Sequence, residues 1–407
     1  MKQKNEMMKL YATYILIVLF LSLAYAQDKT FANDLDHDFE LDVELENRYF
    51  LETPAFAGQK RYYPTLALRP KYTVEWKDGY HSLNVEGFVR FDRDGERTHF
   101  DFREFYFHKI KGNWELSIGL KKVFWGVTES NHLVDIINQT DAIESFDGEE
   151  KLGQPMVQFS IYTNLGIFDL FYLPYHRKRT LPGSKGRFRF PIIINTDEVL
   201  YESTSEEWHQ DFAIRYANSF NSVDLGVSYF YGTGREPLVQ FDAQSGITAL
   251  YPIIHQVGLD LQITNKAFLW KLESIYRSSE LQKFLGLTAG FEYTISNIKS
   301  SGIDIGLLLE YLYDDRGKLA FNALQNDCFM GSRIAFNDMQ DTSILMGVIS
   351  DWQKSSKIIG IEASRRLGSS MKLELEGRLF TSIADSEPFL ANFNKDSFVG
   401  LTLIKYL

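Results

Sequence analysis

Apolar and polar residues alternate along most of this chain with a period of two. In 39–46, Phe39, Leu41, Val43 and Leu45 take one face and Glu40, Asp42, Glu44 and Glu46 the other. In 371–379, Met371, Leu373, Leu375, Gly377 and Leu379 oppose Lys372, Glu374, Glu376 and Arg378, and 82–91 and 303–314 read the same way. Successive side chains of an extended strand point to opposite faces, so the pattern sets one face against something apolar and the other against water. Carried along the chain, it predicts eighteen strands, near 37–51, 63–77, 80–91, 99–110, 113–123, 154–163, 165–175, 208–219, 222–233, 254–264, 267–278, 284–297, 302–314, 328–338, 342–352, 357–366, 370–381 and 397–407. Most reach the roughly 9–11 residues that a tilted strand needs to cross a bilayer.

The connections between these strands alternate in length. Short ones, such as Asp78-Gly79, Lys111-Gly112, Phe220-Asn221 and Asn265-Lys266, are rich in the residues of tight hairpins. Long ones fall at 52–62, 92–98, 124–153, 176–207, 234–253, 279–283, 315–327, 353–356 and 382–396. That asymmetry predicts an all-β transmembrane antiparallel up-and-down β-barrel of 16–18 strands, with short periplasmic turns and long extracellular loops. A soluble sandwich or propeller also alternates, but gives no reason for the parity of loop lengths.

The ends and the composition narrow the setting. Lys2, Lys4 and Lys9 precede an apolar run from Leu10 to Leu23 and the small-x-small site Ala24-Tyr25-Ala26, which predicts a signal peptide over 1–26. A periplasmic lead-in over 27–36 and a barrel over 37–407 complete the expected organisation. Cleavage near Ala26 removes three lysines and one glutamate, so the net charge of -11 becomes more negative by two. The acidity argues against nucleic acid as a partner, because neutralising phosphates needs clustered Lys and Arg. One cysteine, Cys328, leaves no internal disulfide, which with export points to a Gram-negative envelope and the bacterial outer membrane. Mean hydropathy is -0.22, as for a soluble protein, yet the chain holds 32 Phe and 22 Tyr. A barrel wall produces that combination, since its two faces average out along each strand.

The stretch Gly119 to Asp141 completes a strand and then loses its alternation. At Gly119, Lys121, Trp125-Gly126, Asp135 and Ile137-Asn138, the chain resembles the poorly characterised porin-like outer-membrane barrels of Gram-negative bacteria, although Gln139 stands where those often have Pro. The stretches Glu310 to Gly317, Gly331-Ser332-Arg333 and Asn337-Asp338 are similar to their later hairpins. The resemblance implies a channel for passive diffusion of small solutes, either general or substrate-selective, in contact with outer-membrane lipids and lipopolysaccharide, with a homotrimer as one assembly open to it. Parity makes 124–153 the third long loop, the one that narrows the pore in general porins.

Charged residues give candidate sites within that reading. Asp135, Asp141, Glu144 and Asp147 of the third long loop are expected to face Arg177, Lys178, Arg179, Arg187 and Arg189 of the fourth across a constriction. The blander reading makes both loops solvated surface, with the basic cluster binding lipopolysaccharide phosphates. Arg90, Arg103, Lys271, Arg277 and Arg378 are expected to face the lumen, as selectivity residues or as partners of nearby glutamates. No linear hydrolase, metalloprotease or nucleotide-binding motif occurs, no histidine spacing picks out a metal site, and no cofactor is implied. A non-channel barrel stays open as the alternative: a surface-lipid hydrolase with Ser and His from neighbouring strands, or a component for polysaccharide export or assembly.

Overall fold

The computed structural model describes residues 35–407 apart from 197, 243–245, 318–319, 321, 323, 385–386 and 388. The expected signal peptide and most of the lead-in therefore lie outside the described residues. The strands in chain order are β1 (Leu35–Phe50), β2 (Tyr62–Trp76), β3 (His81–Phe91), β4 (His99–Lys111), β5 (Trp114–Lys121), β6 (Gln154–Thr163), β7 (Gly166–Leu173), β8 (Leu200–Tyr201), β9 (Asp211–Phe220), β10 (Val223–Thr233), β11 (Leu238–Asp242), β12 (Gly246–Tyr251), β13 (Ile253–Asn265), β14 (Phe268–Ser278), β15 (Lys283–Ile295), β16 (Asp304–Asp314), β17 (Asn326–Ala335), β18 (Ser343–Asp351), β19 (Lys357–Arg366), β20 (Met371–Thr381) and β21 (Phe398–Tyr406).

Eighteen of these form one sheet in which each strand pairs antiparallel with its neighbours in the chain. The last strand, β21, returns to β1 with Asp42 opposite Tyr406 and Phe50 opposite Phe398, so the sheet closes into a barrel. Every expected barrel strand is present, with ends displaced by a few residues; β1, for instance, already begins at Leu35. The remaining strands were not foreseen. The hairpin β11–β12 and the short β8, which pairs parallel to β12, form a small cap within the fourth and fifth long loops.

One end of the barrel carries mostly tight turns, the longest connection there being 296–303. In the first, the Tyr80 N–H donates to the Lys77 carbonyl (3.2 Å), with Asp78 at φ 57° and Gly79 at φ 80°. Both lie in the left-handed region that a type I′ turn requires. The other end carries every long loop.

The outer face is apolar and bears aromatic belts near both ends. Towards the turn end, Trp76 stacks near Phe107, and Phe268, Trp270, Phe291 and Tyr293 make ring contacts with one another. Towards the loop end, Tyr172 meets Phe212, and Tyr311 stacks on Tyr313. Amphipathic rings at two levels are what a wall crossing a bilayer places at its two interfaces.

The barrel's buried core lies inside it. Trp125, Val134, Ile136 and Ile137, from the segment between β5 and β6, pack on Phe171, Leu173, Phe230, Ile254, Ile275 and Phe284 of the inner wall. A long loop has folded inwards.

Candidate functional site

The inward loop, 122–153, has lost its alternation because it is buried against lumen on several sides rather than on one face. Its polypeptide N–H groups are met by carboxylates of the wall. Glu273 of β14 accepts from the N–H groups of Val127 (2.7 Å), Thr128 (3.0 Å) and Val134 (3.2 Å), and from the Thr128 hydroxyl (2.8 Å). Glu310 of β16 accepts from the N–H groups of Glu129 (2.8 Å) and Ser130 (2.9 Å). Hydrogen bonds to an ionised acceptor are the stronger kind, and here they replace the strand ladder that the segment gave up. Asn138 closes the loop on itself: its Oδ1 accepts from Val123 N–H (2.8 Å), and its Nδ2 donates to the carbonyls of Lys121 and Leu152 (both 2.9 Å).

The opposite side of the loop is tied by ion pairs. Arg103 reaches Asp141 (2.5 Å), Arg90 reaches Glu144 (2.8 Å) and Arg69 reaches Glu150 (3.6 Å). Arg103 owes its place to a bulge in β4: Glu104 pairs with Glu86 and Phe102 with Gly87, which leaves Arg103 as the extra residue. Bulges re-aim side chains, and this one turns both Arg103 and Glu104 inwards. Arg103 is fully buried, with its guanidinium stacked over Phe88 (4.5 Å). Burial would raise the Asp141 carboxyl, but Arg103 and the Thr180 hydroxyl (2.5 Å) outweigh it and hold the group below its ordinary value. Asp135 is buried against Lys151 (3.3 Å) and burial wins, so its carboxyl is pushed up.

The loop divides the lumen into two chambers. The one towards the long loops has a volume of about 580 Å³, and the one towards the turns about 540 Å³. Glu129, Asp147, Glu149, Glu362, Phe146, Phe188, Leu345 and Ser145 line both, and so mark the rim where the chambers meet. The rim lies between the loop and the wall of β17–β20. There the loop tip is tied across: Asp147 pairs with Arg378, which also holds Glu362 (2.7 Å), and Glu129 pairs with Arg333 (2.5 Å). His132 bonds Glu149 (3.1 Å); burial opposes its protonation, but Glu149 and Glu273 prevail and raise the imidazole to about 10.

Three wall positions near the tip carry no side chain of their own, which leaves room for two neighbouring ones. Gly331, Gly347 and Gly360 stand side by side in register across β17, β18 and β19, followed by Arg378 in β20. A Cβ on Gly347 would stand 2.3 Å from the Phe329 ring, and one on Gly331 2.6 Å. The ring lies over both glycines, and Arg378 lies over Gly360, where a Cβ would meet its Nη1 at 3.2 Å.

Two solved structures have this architecture. A BenF-like porin from Pseudomonas fluorescens Pf-5 superposes with a TM-score of 0.55 at 12% identity, over 93% of this chain and 99% of that one. OpdQ from Pseudomonas aeruginosa gives 0.52 at 10% identity, over 92% and 97%. The chain has the porin fold. No protein-family model matches the sequence, and no curated protein sequence matches it.

Within the porin fold, the charged residues singled out from the sequence fall in several places. Asp147 and Arg378 meet at the rim. Asp135 and Arg179 line the loop-end chamber, as does Arg277, which pairs with Glu236 (3.0 Å). Glu144 and Arg90 meet under the turn-end chamber, and Asp141 with Arg103 behind the loop. Lys271 stands 3.9 Å from both Glu129 and Glu292.

The basic cluster of the fourth loop is not drawn to the rim. Arg177 pairs with Asp101 (2.7 Å) and donates to the Gly153 carbonyl (2.9 Å). Arg187 pairs with Asp396 (2.6 Å), Arg189 stacks over Phe56 (3.8 Å), and Lys178 lines neither chamber. Nearer carboxylates, carbonyls and rings engage Arg177, Arg187 and Arg189 first. Glu129 and Glu149 stand out in the sequence as carboxylates of the inward loop, whereas Glu362 at the rim, and Glu273 and Glu310 as anchors, do not.

Proposed function

We propose that the chain is a channel of the bacterial outer membrane through which small solutes diffuse passively, with its turns in the periplasm and its long loops outside. One observation carries the reading: two lumen chambers meet at a rim formed by a loop fastened to opposite walls. The constriction is the Asp147, Arg378 and Glu362 contact with its neighbours. Asp135, Asp141, Glu144, Arg103 and Arg90 act by holding the loop that makes it. The belted outer face suits outer-membrane lipids and lipopolysaccharide, and a homotrimer is compatible with it.

Planar-bilayer recording of purified protein in a salt gradient tests this. Stable ohmic steps are expected. Silence from protein that is folded by heat-modifiable gel mobility would overturn the channel.

A second reading, a lipid or ester hydrolase, has one observation in its favour. His108 Nδ1 and Ser117 Oγ lie 2.9 Å apart on neighbouring strands, with Glu115 3.7 Å from the other ring nitrogen. Against it, Ser117 is 3% exposed, its oxygen also accepts from Lys121 (3.1 Å), and it lines neither chamber. Ester hydrolysis abolished by Ser117→Ala would favour this reading.

A further inference from the structure

The rim carries two kinds of group, Glu129, Asp147, Glu149 and Glu362 beside Phe146, Phe188 and Leu345. They are interleaved: Leu345 stands in register next to Glu362, and Phe146 adjoins Asp147 in the chain. The carboxylates have cationic partners, but acid and base differ in how they meet water. The side chains of Glu149 and Glu362 are 53% and 48% exposed, whereas those of His132 and Arg378, which neutralise them, are 17% and 16% exposed. Arg333 is the exposed cation, and it lines only the turn-end chamber, beyond the rim. At the rim, past Arg179, Arg277 and Arg316 of the loop-end chamber, a solute meets carboxylate oxygens, with the compensating charge behind them. In a narrow lumen with low-dielectric walls, that arrangement concentrates cations and repels anions.

The apolar groups are held as firmly. Phe146 meets Phe188 at 5.1 Å, and stands edge-on to Phe380 (5.3 Å) and Phe393 (5.2 Å), so its ring is held in place by packing. Phenyl faces carry a negative quadrupole, which attracts cations, and they also take apolar surface out of water. Potassium or methylammonium would gain from the carboxylates alone. A larger organic cation would also gain along Phe146 and Phe188. An aromatic anion would gain from the rings and lose at the carboxylates.

From this mixed acidic and aromatic rim we propose that the passage selects organic cations that carry an apolar body, with Glu149, Glu362 and Phe146 as the specificity-determining residues. The proposal rests on the channel reading above, and the same recordings separate the two. Without ohmic steps both fall; with them, the sign of the reversal potential and the choice among solutes bear on the rim alone.

In a KCl gradient, the wild-type channel is expected to show a reversal potential favouring potassium. Added benzylammonium chloride should interrupt the potassium current more strongly than methylammonium chloride, and sodium benzoate should not. Glu149→Gln with Glu362→Gln should move the reversal potential towards chloride, because His132 and Arg378 are then left uncompensated. Phe146→Ser should keep the potassium preference and lose the distinction between benzylammonium and methylammonium. If a variant fails to fold by gel mobility, the wild-type potential and the wild-type comparison of the two amines still decide. A wild-type channel that prefers chloride would overturn the proposal, and so would equal effects of the two amines or an unmoved potential in the folded double variant.

Discussion

Gly347 is the residue at which backbone and passage are most directly linked. Its missing side chain lets the Phe329 ring lie against the wall, where any Cβ would meet it at 2.3 Å. Gly347→Leu must push that ring inwards. The expected result is a smaller unitary conductance and a stability loss of about 1–3 kcal/mol from overpacking, read by bilayer recording and by the temperature at which heat-modifiable mobility is lost. Glu273 is the counterpart on the other side of the loop. Glu273→Ala leaves the N–H groups of Val127, Thr128 and Val134 without their acceptor. At roughly 1–3 kcal/mol for each orphaned donor, the loop should come loose. Larger and noisier current steps would show it, and quiet wild-type steps would refute the anchoring role.

At this same scale the sequence was only partly legible. Strand phase tells which residues face inwards, and Arg90, Arg277 and Arg378 follow from it. Arg103 follows from the phase of Phe100 and Phe102, but Glu104, facing inwards beside it, does not follow from an unbroken period of two. A signal was there all the same. Phe100 and Phe102 share one parity while Phe105 and Phe107 take the other, and the phase change marks the bulge. Glu273 and Glu310 gave no such sign, because a carboxylate that accepts loop N–H groups looks, in sequence, like any other polar position on an inner face.

Among the elements, strands were legible and the long loops were not. A strand's partner lies next to it in the chain, so local pattern and turn residues suffice to place it. The inward loop is held by residues far from it in sequence, and no local period encodes that. The cap of β8, β11 and β12 was missed for the same reason. Its hinge is His176, buried between Tyr201 and Tyr251, with Tyr251 4.6 Å away and the Tyr201 hydroxyl 3.2 Å from Nδ1. Burial, with Arg235 and Lys178 nearby, holds this imidazole well below its ordinary value. In the unfolded chain the ring takes up a proton near its ordinary pKa of about 6.5, while the docked ring does not. The cap is thus at full stability above that pH and weakens as the pH falls below it. Limited proteolysis should cut 174–210 faster at pH 5 than at pH 7.5, and His176→Phe should remove most of the difference.

For the whole molecule, closure is what makes the parts cooperate. Antiparallel neighbours are joined by short turns at one end, so the pattern of loop lengths was enough to read the ring from the chain. It was not enough to read what stands inside the ring. The loop between β5 and β6 is bonded to β3 and β4 on one side and to β14, β16, β17 and β20 on the others. It therefore works as a strut as well as a partition. A hollow ring of eighteen strands could be flattened by lateral pressure from the surrounding bilayer, but here flattening would have to break charged contacts on opposite walls at once. In the proposed channel, the part that narrows the bore would also keep its cross-section from changing, and so insulate the width of the passage from the mechanical state of the membrane around it.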